Sequence, residues 1–284
     1  MSVSLNVVGA GRLGKSMGRL FAMQGVTIAG VLNRRAEQAE LAIAFIGQGR
    51  ACTNIAELPT APLHLLAVPD DKLLEVTAAL LNAALLQPGD ILFHCSGSKS
   101  SLELRLAFPE LDRLQVALAS IHPLFSFADP ERSVAQFPST ICSVEGDDLA
   151  VKTLRPLFES IGARVVEIDA DKKMLYHAGS VFASNYLVSL IDTAIRAYVA
   201  SGVPHTTALE MARSLAQTSL QNAFELGTAV ALTGPIKRGD FATVHTQEQV
   251  VRDWDRIRGD LYHAFIAPTT ELAQTNTEKN YSEK

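Results

Sequence analysis

Lys173 and His177 stand four residues apart, so on a helix they share one face, and both side chains can hand over a proton. Ser180 and Ser184 extend that stripe. Asn185 lies about 120° round from Lys173 at 100° per residue. Ser96-Gly97-Ser98 offers hydroxyls and backbone N–H groups ahead of a helix, suited to a carboxylate or a ribose. His122 precedes Pro123, which holds the chain extended and lets the imidazole face a cleft. From Thr233 to Asp240 a loop fixed by Gly234 and Pro235 carries Arg238 and Asp240 as a charge pair. Each group has a plainer reading: helix capping for the serines, a satisfied structural histidine for His122, a solvated helix start for Lys173, a connector for the loop. Together they suit proton transfer to a small polar substrate held by Ser98, Ser184, Asn185, Thr233, Arg238 and Asp240, with Lys173 or His177 as donor and Ser96 and His122 beside them.

Such groups need a scaffold, and the first thirty-five residues supply its most specific part. A short apolar strand, Leu5 to Val8, runs through Gly9-Ala10-Gly11-Arg12-Leu13-Gly14 into a helical segment, Lys15 to Met23. Gly9 permits a tight turn, Gly11 lets backbone approach a pyrophosphate, and Gly14 lets helix pack on strand. The first N–H groups of the helix face an anion that its dipole favours. A second strand, Val26 to Leu32, ends at Asn33-Arg34-Arg35, where an acid for ribose hydroxyls is usual. A neutral residue followed by two arginines suits a 2′-phosphate instead, so NADP(H) is expected over NAD. Arg34 and Arg35 as an ordinary solvated helix start is the alternative.

The rest of the first half alternates short apolar runs with helical patterns. This predicts an α/β, Rossmann-type, doubly wound and mostly parallel sheet. Strands are expected over Leu63–Val68, Asp90–Cys95, Leu114–Ile121, Ser139–Val144 and Arg164–Ile168. Helices are expected over Asp71–Leu85, Ser100–Phe108 and Asp147–Ser160. In such a sheet ligands bind beyond the carboxyl ends of strands, which places Val68, Pro69, Asp70, Ser96 and Gly97 with the glycine turn at the cofactor. Beyond Ile168 the patterns are helical: Lys172–Ala200, Pro204–Leu226, and Thr246–Ile266 closed by Pro268. The expected domains are therefore 1–168, dinucleotide-binding, and 169–284, all-helical, with a polar frayed tail from Gln274 to Lys284.

A chain of 284 residues with net charge −5 and no basic run gives no support for a nucleic-acid surface. Cys52, Cys95 and Cys142 are far apart and form no CxxC pair, so reduced thiols in the cytoplasm are expected and no metal. The chain enters a strand almost at once, leaving no room for a signal peptide, and no apolar run is long enough for a membrane span.

Gly9 to Gly14, Val68-Pro69-Asp70, His94 to Gly97, His122-Pro123-Leu124, Tyr176-His177 through Asn185, and Thr233 to Asp240 together carry a resemblance over nearly the whole chain. The sequence resembles a bacterial family that joins a Rossmann-like NADP-binding half to an all-helical half. That family is related to the 6-phosphogluconate dehydrogenase-like superfamily, with 3-hydroxyisobutyrate dehydrogenase, ketopantoate reductase and pyrroline-5-carboxylate reductase among its members. The resemblance implies a C-terminal domain of the 6-phosphogluconate dehydrogenase type and a homodimer formed through it. It also implies proton transfer by a lysine on the long helix after the Rossmann half, a position Lys173 matches. An asparagine commonly follows one turn later in that superfamily; here the residue is His177.

The expected activity is hydride transfer between NADP(H) and a small carbonyl or imine compound, carboxylic acids included, in the cleft between the halves. A redox or metabolite sensor that binds NADP(H) without turnover is the alternative from a different class. A hydrolase using Ser96 with His122 is weaker, because no nucleophile-elbow motif surrounds the serine.

Overall fold

A computed structural model describes residues 3–275. Eight strands form one sheet: β1 (Ser4–Val8), β2 (Thr27–Leu32), β3 (Arg50–Cys52), β4 (Leu63–Leu66), β5 (Ile91–His94), β6 (Ala117–Pro123), β7 (Ile141–Gly146) and β8 (Arg164–Glu167). Their order is β3-β2-β1-β4-β5-β6-β7-β8, parallel throughout except that β7 runs antiparallel to β6. The fold is the expected doubly wound, mostly parallel sheet followed by a helical region. Because β1 pairs with both β2 and β4, the strand order reverses at the carboxyl end of β1, where a ligand crevice forms in such sheets.

Both sheet faces are covered, which is why the central strands read as continuous apolar runs. One face packs Val7, Leu65, Phe93 and Ala119 against Met17, Phe21, Leu154 and Phe158 of the helices Arg12–Met23 and Asp148–Ser160. The other packs Val8, Leu66, Leu92 and Leu118 against Leu73, Leu80 and Leu104 of Leu73–Asn82 and Ser101–Ala107.

Contacts divide the chain into Met1–Val181 and Phe182–Lys284. The parting lies one helix beyond Ile168, because the helix Lys173–Val181 is tied by Lys173 to the sheet. The expected single helix over Lys172–Ala200 is instead Lys173–Val181, a π-helical turn Phe182–Tyr186, and Leu187–Ala200. The pattern over Thr246–Ile266 is likewise two helices, Phe241–Trp254 and Arg256–Gln274. Asp255 breaks them with an extended backbone and caps the second by accepting from Arg258 N. Pro268 does not end that helix but sits within it, at the loss of one backbone hydrogen bond. No helix among the described residues is long and apolar enough to cross a membrane. The polar tail expected from Gln274 lies, from residue 276 on, outside the described residues.

Candidate functional site

A cavity of about 760 Å³ opens at the β1/β4 reversal, within the size range of cofactor pockets. Gly9, Ala10 and Gly11 line one part, Asn33, Arg34 and Arg35 another, and Val68 and Pro69 a third. Gly9 has φ +110°, and a Cβ there would fall 2.3 Å from the Ala67 carbonyl oxygen, so the turn and the end of β4 touch through backbone alone. A Cβ on Gly14 would fall 2.0 Å from the Gly9 oxygen, the close helix packing expected of the third glycine. Gly11 differs: a Cβ there meets no protein atom within 4 Å. Its bareness serves whatever enters the cavity rather than the protein's own packing. Arg12 and Leu13 begin the helix, whose first turn has no side-chain cap and no acid, leaving its N–H groups for an anion. Asn33 turns its Oδ1 back to accept from Arg35 N at 3.0 Å, so no carboxylate stands at the end of β2. Bare glycine, uncapped amides and two arginines fit a dinucleotide.

A second cluster forms on the other side of β4. Register places His94 of β5 beside Ser120 of β6, and Ser120 opposite Glu145 of β7. All three are buried, so a polar row crosses three strands inside an apolar layer. Lys173 completes it, with Nζ donating to Ser120 Oγ at 2.5 Å and to Glu145 Oε1 at 3.1 Å. Glu145 also accepts from Ser101 N at 3.0 Å and Ser101 Oγ at 2.6 Å. Burial lowers the Lys173 ammonium below the usual lysine range, with Glu145 opposing. Lys172 is solvent-facing and pairs with Asp169, so Lys173 is the lysine that turns inward.

The Ser96–Lys99 turn is tied to this row, because Ser120 Oγ donates to the Ser96 carbonyl at 3.2 Å. Asp70 Oδ2 accepts from Ser96 Oγ at 2.8 Å and Ser98 Oγ at 2.7 Å, while Ser96 Oγ accepts from Lys99 N at 2.9 Å. The Ser96 hydroxyl is thus spent on building the turn, and Asp70 braces that turn rather than lining the cavity. Gly97 leaves room for two rings: a Cβ there would fall 2.4 Å from His177 Nδ1 and 2.9 Å from His122 Cε1. His122 and His177 meet edge to face at 5.8 Å, and His122 Nδ1 lies 3.1 Å from the Tyr176 hydroxyl. His177 Nδ1 is buried without a hydrogen-bond partner. Burial, then Lys173 and His177, hold His122 down to about 4. Burial pushes the Cys95 thiol up, consistent with an inert core cysteine.

The other expected substrate residues lie in Phe182–Lys284. Ser184 and Asn185 are on the π-helical turn, with Ser184 Oγ donating to Asn185 Oδ1 at 2.9 Å. Thr233 and Arg238 are exposed. Asp240 spends its carboxylate on Thr243, accepting from N at 3.1 Å and Oγ1 at 2.7 Å as an N-cap, and Arg238 acts on it only through its field. The sequence reading missed Ser120, Glu145 and Ser101, and gave Tyr176 no role. Period two along β6 was the available signal, because Ser120 and His122 share a face with Leu118.

Residues 1–123 match a Rossmann-like domain, and residues 140–267 match a domain of unknown function, DUF2520. Among solved structures, protein TM1727 from Thermotoga maritima is 27% identical, with a TM-score of 0.73 over 95% of this chain and 98% of that one. The imine reductase from Myxococcus stipitatus in complex with NADP+ is 16% identical, with a TM-score of 0.66 over 94% of each chain. A pyrroline-5-carboxylate reductase from Coxiella burnetii is 14% identical, with a TM-score of 0.60 over 96% and 99%. The last two show a shared fold. No curated protein matches the sequence. The two matches thus place a Rossmann-like region ahead of a region that matches DUF2520.

Proposed function

We propose that the chain is an NADP(H)-dependent oxidoreductase acting on a small carbonyl or imine compound. The carrying observation is the cavity at the β1/β4 reversal, where bare Gly11 and uncapped amides meet Arg34 and Arg35 with no acid at the end of β2. The amides at Gly9 to Leu13 would hold the pyrophosphate, and Arg34 and Arg35 the 2′-phosphate. The bound nicotinamide supplies or accepts the hydride. The proton is assigned to His177, whose Nδ1 has no protein partner and whose ring is placed by Gly97 and His122. An imidazole is the side chain suited to that work near neutral pH. Lys173 is 1% exposed and bonded to Ser120 and Glu145. Its part is to brace the Ser96–Gly97 turn through Ser120, not to touch substrate.

NADPH consumption across a panel of cyclic imines, keto acids and aldehydes tests this, with His177→Ala and Arg34→Ala beside wild type. Turnover with at least one class, lost in His177→Ala, is expected. NADPH binding with no turnover of any class would instead favour the non-catalytic sensor.

The helical unit is proposed to pair with a second copy. Its buried residues are few and small, while Phe224 and Ile257 are 86% and 79% exposed. Light scattering giving the mass of one chain at micromolar concentration would count against a dimer.

A further inference from the structure

The cavity wall carries a third cation. Lys72 ends the 3-10 turn Asp70–Lys72 after Pro69 and lines the same cavity as Arg34 and Arg35. It comes from the β4 side of the strand-order reversal, whereas the arginines come from the end of β2. Its Nζ donates to Glu75 Oε2 at 2.8 Å, and Glu75 lines the cavity too. The pair is open to solvent, at 46% and 69% exposure, so it contributes little to stability and exchanges readily. Glu75 raises the Lys72 ammonium and Lys72 lowers the Glu75 carboxyl; Arg34 lies close enough for its charge to act on both, opposing the first shift and reinforcing the second.

Arg34, Arg35 and Lys72 therefore line one cavity together with two carboxylates, Asp71 and Glu75, and the Asp71 charge acts on Lys72 as well. A carboxylate brings one negative charge to Lys72. A phosphate monoester brings about −1.5 to −2 and three acceptor oxygens, so it competes well for the same ammonium.

We propose that Lys72 is a specificity-determining residue. It meets the cofactor 2′-phosphate from the β4 side while Arg34 meets it from β2, and Glu75 holds Lys72 until the phosphate takes its place. Glu75 is then a brake as well as a placeholder, because its carboxylate repels the incoming phosphate. A cofactor lacking the 2′-phosphate leaves the Lys72–Glu75 pair intact and gains nothing from Lys72. The inference rests on the NADP(H) reading above.

Calorimetric titration of the full chain with NADPH, NADH, 2′,5′-ADP and 5′-AMP separates the two. For Lys72→Ala, affinity for NADPH and 2′,5′-ADP is expected to fall about tenfold, with NADH and 5′-AMP within about twofold. For Glu75→Gln, NADPH is expected to bind about threefold more tightly. Lys72→Ala leaving the NADPH-to-NADH ratio unchanged, while Arg34→Ala abolishes it, overturns the role of Lys72 alone. A wild type showing no preference for either phosphorylated ligand overturns the NADP(H) reading and this inference together.

Discussion

Lys173 Nζ lies 3.1 Å from Glu145 Oε1, and both side chains are almost wholly out of water, at 1% and 3% exposure. Removing one member of such a pair strands the other, at a cost of about 3–5 kcal/mol. The two halves are not equivalent. Glu145 keeps two bonds from Ser101 when Lys173 is lost, whereas Lys173 keeps only Ser120 when Glu145 is lost. Glu145→Leu should therefore destabilise more than Lys173→Met, and the double variant should be more stable than Glu145→Leu alone. Urea denaturation midpoints decide this; simple additivity of the two costs would mean that the charges do not depend on each other.

The same burial sets the response to acid. His94 is held down to about 3 by burial and by the Lys173 charge, and His122 to about 4. In the unfolded chain both titrate near about 6.5. Below that pH the unfolded chain binds protons that the folded chain refuses. Stability therefore falls as pH drops from about 6.5, levelling off below the folded values. At about 1.4 kcal/mol per unit, His94 alone accounts for roughly 5 kcal/mol of that loss. His94→Asn should flatten the slope of unfolding free energy between about pH 6 and pH 4 by close to one proton. An unchanged slope would show that His94 is already charged in the fold.

How far all this was legible depends on the range of the signal. Gly9, Gly11 and Gly14 act within one turn of chain, so the strand–turn–helix and its cavity could be read from adjacent residues. Lys173 and His177 fall on one helix, Lys173–Val181, because helix geometry is local too. That Lys173 points into the sheet is not local. It depends on Glu145, 28 residues earlier, lying opposite Ser120, and hence on β7 pairing antiparallel to β6. Ser96 looked like a site serine because a turn before a helix offers the same residues for capping as for ligand binding, and here Asp70 and Lys99 N take its hydroxyl. Pro268 looked like a helix end because its cost is charged to one hydrogen bond, which a nineteen-residue helix tolerates.

Gly9 and Gly11 should fail in different ways. Gly9→Ala must place a methyl 2.3 Å from the Ala67 oxygen on a backbone at φ +110°, so the fold itself should lose about 1–3 kcal/mol or more. Gly11→Ala meets no protein atom within 4 Å and has an ordinary negative φ, so thermal stability should stay within about 1 kcal/mol of wild type. NADPH affinity should nevertheless drop at least about tenfold, because the methyl occupies space left for the cofactor. Gly11→Ala binding NADPH as wild type does would mean that the phosphates do not approach this turn.

Gly97→Ala isolates the paired histidines from the cofactor cavity. The added methyl would fall 2.4 Å from His177 Nδ1, 2.8 Å from its Cε1 and 2.9 Å from His122 Cε1. Backbone at Gly97 has no positive φ, so the only strain is against the two rings. Displacing them should cost about 1–3 kcal/mol of stability. It should also displace the proposed proton donor, lowering kcat by about a hundredfold as general acid–base contributions of this kind are lost. NADPH affinity should hold, because Gly97 does not line the cavity. Turnover and cofactor titration on the same preparation separate the two effects. A variant with wild-type kcat would show that His177 tolerates displacement and is not the proton donor.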